Sequence, residues 1–238
     1  MVTPDAQRMS DTQWLHAFVD QWHLLADLSF SDLLLWLPDE EGDTFTCVAQ
    51  VRPVTGPTAL EDDVTGEVLA YEMDNPVTVA YLTRELAETS DNALSAGIPV
   101  DVWAVPVVRG DRCIAIMERH TNQMGVRAMG ALEENYMEAA NVLISMVQEG
   151  RFPLAPPSDQ ALAPRVGDGL LRIQTDDTIT YASPNALTAF GRLGMTDDLE
   201  GETFGSVIRS LRQGIESVGQ TLLADLKAHR SVVFDVER

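Results

Sequence analysis

Between Ser10 and Ser29 apolar residues return every three or four positions. Leu15, Phe18, Val19, Trp22 and Leu25 share one side of a helix, and Ser10 stands where an N-cap belongs. The period then changes. SDLLLWLP (Ser31 to Pro38) is a short apolar run, Gly42–Asp43 supplies a turn, and TFTCVAQVR (Thr44 to Arg52) alternates, with Phe45, Cys47, Ala49 and Val51 on one face. This pattern predicts two strands joined as a hairpin. Scattered Pro and Gly break up the chain from Pro53 to Pro99, where VTVAYLTREL alone reads as helical. The clearest hairpin follows in VDVWAVPVVRGDRCIAIMERHT, whose β-rich runs flank Arg109–Gly110–Asp111–Arg112. A long helix is predicted from about Arg127 to Glu149, with Met129, Leu132, Tyr136, Leu143, Met146 and Val147 on or near one stripe and Gly150 as its stop.

RFPLAPPSDQALAPRVGDG carries four prolines and little periodicity, the mark of a semi-rigid linker. The expected organisation is a domain over 1–150, a linker over 151–167 and a second domain over 168–238. That second part opens with two short strands in GLLRIQTDDTITYAS, turning at Asp176–Asp177. Ser183 as N-cap and Pro184 at the first helical position start a helix that runs to about Phe190. A further helix over Ser217 to His229 and a strand in SVVFDV complete the reading. The fold class is α+β: two domains, each a mostly antiparallel sheet flanked by helices.

Composition narrows the partners. A formal charge of −21 repels phosphate backbones and anionic lipid, so neither nucleic acid nor membrane is expected as a partner. No apolar run is long enough to span a bilayer, the N-terminus lacks a secretory pattern, and two cysteines make no disulfide framework. These features together predict a cytoplasmic location.

The order helix, hairpin, broken middle, hairpin, long helix resembles a GAF domain. DDTITYASPNALTAFGRLGMTDDLEGETF resembles the start of a PAS domain, with Asn185 opening a helix and a later Leu199–Glu200–Gly201 step. WHLLADLSFSDLLLW, CVAQVRPVTGPT and ITYASPNALTAFGRLGMTDDLEG are together similar to the actinobacterial sensor histidine kinases of the PdtaS type. The resemblance implies a GAF–PAS sensor pair, with the PAS part incomplete. It implies a kinase core beyond residue 238, phosphotransfer to a response regulator and a homodimer. The family's phosphoacceptor box, His-Arg-Val-Lys-Asn-Asn, has no counterpart here, nor does an Asn- and Gly-rich ATP motif. This chain alone is therefore expected not to phosphorylate itself.

Arg52, Tyr71, Asp101 and Trp103 are candidate lining groups of a small-molecule pocket in the first domain, where a few polar anchors would join apolar walls, and Arg52, just before Pro53, reads equally as a solvated strand end. The ligand stays open among haem, nucleotide, redox state, metal and none. Asn185 is read as structural, its amide bonding backbone to fix a turn. His16, Asp20 and His23 share a helical face, a spacing that suits a metal but reads better as a solvated strip. Cys47 and Cys113 lie on predicted strands and read as packing residues, although a thiol-dependent reductase on a GAF fold would use cysteines. The other alternative is a stand-alone ligand-binding regulator. The apolar stripes of both long helices read first as core faces, with pairing to a second copy as their other use.

Overall fold

The computed structural model describes residues 9–39, 43–89, 93–95, 97–124, 129–153, 163–195 and 198–210. The chain separates into two compact units, divided after Pro153.

In the first unit α1 (Asp11–Ser29) opens on a reciprocal cap. Ser10 Oγ accepts the Gln13 N–H, and Gln13 Oε1 accepts the Ser10 N–H. There follow β1 (Ser31–Pro38), β2 (Thr44–Val51), β3 (Val68–Ala70), α2 (Pro76–Thr83) and β4 (Ala87–Glu88). β5 (Ala93–Ser95), β6 (Ile98–Arg109), β7 (Arg112–Asn122) and α3 (Ala131–Gln148) complete the unit. The strands form one seven-stranded sheet in the order β3-β2-β1-β7-β6-β4, with β5 also paired to β6. Every strand pair in it is antiparallel.

α2 covers one face of the sheet: its Val77 and Ala80 pack with Leu34, Trp36, Phe45, Cys47, Ala104 and Ile116. On the other face Leu15 and Val19 of α1 share a groove of about 290 Å³ with Leu35, Leu37 and Ala49. α1 also packs along α3. Phe18 is fully buried, edge-on to both Trp22 and Phe152. Arg151–Pro153, read from sequence as the start of a linker, therefore belongs with the first unit. The α1 stripe is the core face that its periodicity suggests, and Phe18 and Trp22, buried inside their own unit, are not left to meet a second copy.

Two irregularities redirect side chains. Leu35 pairs with Ala49 but Trp36 pairs with Cys47, which leaves Val48 as an extra residue. Phe45 and Cys47 consequently face α2 while Ala49 faces α1, so the single face read from the alternation is split. A second bulge lies between Val107 and Val108, where Ile114 is the extra residue.

The buried line of α3 is Tyr136, Ala140, Ile144 and Val147, with Met129 exposed, so the expected stripe is rotated. Gly150 ends the helix at φ 65°, and a Cβ there would meet the Val108 carbonyl oxygen at 2.8 Å.

The second unit contains a single turn of 3-10 helix at Val166–Asp168, then β8 (Leu171–Ile173), β9 (Ile179–Ala182), α4 (Pro184–Arg192) and α5 (Phe204–Ser210). β8 and β9 form an antiparallel hairpin. Ile179, Ala182, Leu199, Phe204, Val207 and Ile208 form its core. The predicted helix over Ser217 to His229 and the strand in SVVFDV lie outside the described residues. No helix among the described residues is long and apolar enough to cross a membrane.

Candidate functional site

A strand alternates its side chains between faces, so Glu118 and His120 of β7 share a face with Trp36 and Asp32 of β1. The register sets His120 opposite Asp32 and Glu118 opposite Leu34. This is the face covered by α2. Trp36 Nε1 donates to Glu118 Oε2 at 2.7 Å, and His120 Nε2 lies 3.3 Å from the same oxygen. The Glu118 and His120 side chains are only 10% and 13% exposed. A carboxylate so removed from water needs partners, and an indole N–H and an imidazole supply them.

Asp32, fully buried, extends the polar row. Its carboxylate accepts the Thr58 hydroxyl at 2.7 Å and the Ala59 N–H. Within the last turn of α1, Asp27 accepts the Val54 N–H at 2.8 Å through its side chain and the Thr55 hydroxyl at 2.6 Å through its carbonyl. Asn122 donates to the Thr58 carbonyl at 2.7 Å. Residues 54–59 are thus laid over the end of the sheet by hydrogen bonds from three elements. Behind them Ala59, Val100 and Val102 form a small apolar cluster. The arrangement holds a buried acceptor, a titratable ring and a pinned loop on an apolar floor. It contains no activated nucleophile among the described residues.

Of the four residues proposed from sequence, two come together and two stand apart. Arg52 is exposed, and its Nη2 donates to the carbonyls of Glu61 and Asp62 at 2.9 and 3.1 Å. Tyr71 packs beside the α2-side core, stacked on Phe45 at 5.9 Å. Asp101 and Trp103 point to the opposite face, because their neighbour Ala104 belongs to the α2-side core. There they meet a group the sequence reading passed over: Arg119, 2% exposed, with its guanidinium carbon 3.7 Å from the Trp103 ring centre and Nη2 3.6 Å from Asp101. Burial lowers its pKa to about 10, against the pull of Asp101 and Glu88. Its Nε and Nη1 have no hydrogen-bond partner among the described residues.

The remaining candidates lie apart from this site. Asn185 is exposed at the second residue of α4; the turn is fixed instead by Ser183 Oγ, which accepts the N–H groups of Ala186 at 3.3 Å and Leu170 at 2.8 Å. Cys47 and Cys113 join the α2-side core, and burial pushes both thiols up to about 11. On the order of one in ten thousand is then a thiolate at neutral pH, far from what a catalytic cysteine needs. His16 and Asp20 line the rim of the groove beneath α1. Among the described residues, no group of three or more His, Cys, Asp or Glu is placed to hold a metal ion.

Comparison with known proteins places this geometry. A model of the GAF domain of histidine kinase PdtaS matches residues 7–140. The sensor histidine kinase PdtaS of Mycobacterium tuberculosis (strain H37Rv) is 41% identical over 207 residues, 83% of this chain and 40% of that protein. That of Mycolicibacterium smegmatis is 35% identical over 201 residues, with the same coverage of 83% and 40%. The chain therefore spans 40% of the length of the curated relatives it matches. A solved structure described as the sensor region of a sensor histidine kinase superposes with a TM-score of 0.74 at 37% identity, covering 91% of this chain and 76% of that one. The curled antiparallel sheet with its helices is a GAF-like α+β fold.

Proposed function

Because the chain belongs to the PdtaS histidine kinase family, we propose that it is the sensing region of a cytoplasmic two-component kinase. The α2-side face of the first unit reads the signal. The observation that carries this reading is the buried Trp36–Glu118–His120 contact beside a loop held by Asp32. A ligand donor reaching Glu118 would compete with Trp36 or His120. A ligand displaces the equilibrium between two signalling states only by its unequal affinity for them, and a shared acceptor supplies that inequality. In this reading the second unit is a PAS-like domain, the protein acts as a homodimer, and a kinase core beyond residue 238 passes phosphate to a response regulator.

Incubation of this chain alone with labelled ATP should give no incorporation into protein. In the full-length kinase, Glu118→Gln should change the rate of autophosphorylation at least about twofold, equivalent to a bias of roughly 0.4 kcal/mol between states. An unchanged rate with unchanged stability would overturn the assignment of this face. The thiol-reductase alternative loses support from the two raised thiols.

A further inference from the structure

A cleft of about 470 Å³ opens where the C-terminal end of α2, the β6–β7 turn and the first turn of α1 converge. Cys113 in its lining is five residues from Glu118 along β7, about 16 Å in an extended strand. The cleft is therefore separate from the buried acceptor. Tyr81, Leu82 and Cys113 give it apolar walls, and Arg84 and Arg112 stand in its lining.

Two cations, Arg84 and Arg112, thus line one cleft of a chain whose net charge is −21. Arg84 is placed there as the C-cap of α2, left-handed at φ 57° with its N–H bonded to the Ala80 carbonyl. Its Nη1 donates to the Asp111 carbonyl at 2.6 Å, which fixes the guanidinium, and no other bond holds it among the described residues. Arg112 Nη2 bonds Asp11 Oδ2 at 2.7 Å with the Arg112 side chain 67% exposed. Asp11 keeps a second cation whatever Arg112 does, because Arg109 Nη1 holds its other oxygen at 2.5 Å. Arg112 is thus the replaceable member of the trio. Asp11 and Asp111 both stand in the same lining, and against Arg84, Arg112 and the Arg109 that holds Asp11 from behind they leave one net positive charge, which favours a head group of single charge over a polyanion.

We propose that this cleft binds a small amphipathic carboxylate, its head between Arg84 and Arg112 and its apolar body on Tyr81, Leu82 and Cys113. The head competes with Asp11 for Arg112, so occupancy is felt at the first turn of α1.

Titrating octanoate into the labelled full chain, read by amide chemical shifts, tests this. Saturating shifts are expected at Tyr81–Arg84, at Asp111–Cys113 and in the first turn of α1. The neutral isostere octanol should bind at least about tenfold more weakly, since charge-assisted bonds to guanidinium are lost. The double variant Arg84→Ala, Arg112→Ala should lose octanoate by a similar factor, while Glu118→Gln keeps it. Equal binding of octanoate and octanol, undiminished binding by the double variant, or no saturable shift would overturn the proposal. The octanol comparison uses the unaltered chain, so the test stands whether or not the double variant folds.

Discussion

Glu118 and Arg119 are neighbours on β7, and they carry opposite charges into opposite faces of one sheet. On the α2 side the carboxylate meets an indole N–H at 2.7 Å and an imidazole at 3.3 Å. On the other side the guanidinium lies on Trp103 with a loose 3.6 Å contact to Asp101 and two nitrogens unpaired among the described residues. The two faces therefore manage the same desolvation problem differently. One satisfies its charge by specific bonds; the other relies on an aromatic surface and a distant counter-charge. A satisfied buried charge resists removal, whereas an under-satisfied one opposes folding.

The contrast is open to direct measurement. Glu118→Ala should destabilise the chain most, by about 1–3 kcal/mol in urea unfolding, because it leaves the buried Trp36 N–H without an acceptor. Arg119→Met should act in the reverse direction, from neutral to a gain of up to about 2 kcal/mol, since a volume-matched apolar side chain sheds the desolvation penalty. The sign agrees with its pKa. A cation whose pKa is lowered to about 10 costs stability while protonated, and that cost is relieved only as pH rises past this value. A large loss on Arg119→Met would show that the guanidinium is well paired and would erase the difference between the faces. Trp36→Phe keeps an aromatic ring and removes the donor, and should cost about 1 kcal/mol.

The smallest effect belongs to Asp11. Burial pushes its carboxyl up, but bonds and charge from Arg112 and Arg109 outweigh this and hold it below the usual range. Asp11→Asn should cost roughly 0.5 kcal/mol, as expected for a half-exposed ion pair. A depressed carboxyl contributes fully above the unfolded value near 4 and loses that contribution as pH falls through its folded value. The difference in stability between the unaltered chain and the Asp11→Asn variant should accordingly shrink below about pH 4. A gap that stays constant into acid would show that the arginines do not act on the carboxylate.

What the sequence disclosed follows from the range of the interactions involved. α1, the β1–β2 and β6–β7 hairpins and α4 are local: caps, turns and periodicity decide them, and they lie where the pattern placed them. β3, β4 and β5 have two or three residues each, too few for alternation to show. The bulge at Val48 is hidden because a pairing register belongs to two strands and is not written in one. For the same reason the four proposed pocket residues do not form one site: Asp101 and Trp103 meet at Arg119, one step out of phase with the α2 face. Glu118 and Trp36 are 82 positions apart, so nothing local joins them. A signal did exist. Glu118 and His120 sit two apart at the end of a strand otherwise apolar enough to be buried, and Asp32 opens an equally apolar one. A charge inside a core strand marks a place where something must answer it.

The stop at Gly150 has a mechanical meaning. With α3 halted after Gln148 and Phe152 wedged against Phe18, a twist of α3 about its own axis is not handed onward as torque along one unbroken helical shaft. What leaves the first unit is the location of Pro153, and that location is set by how Phe152 seats in the α1 packing. Loosening α1 would therefore shift this anchor itself.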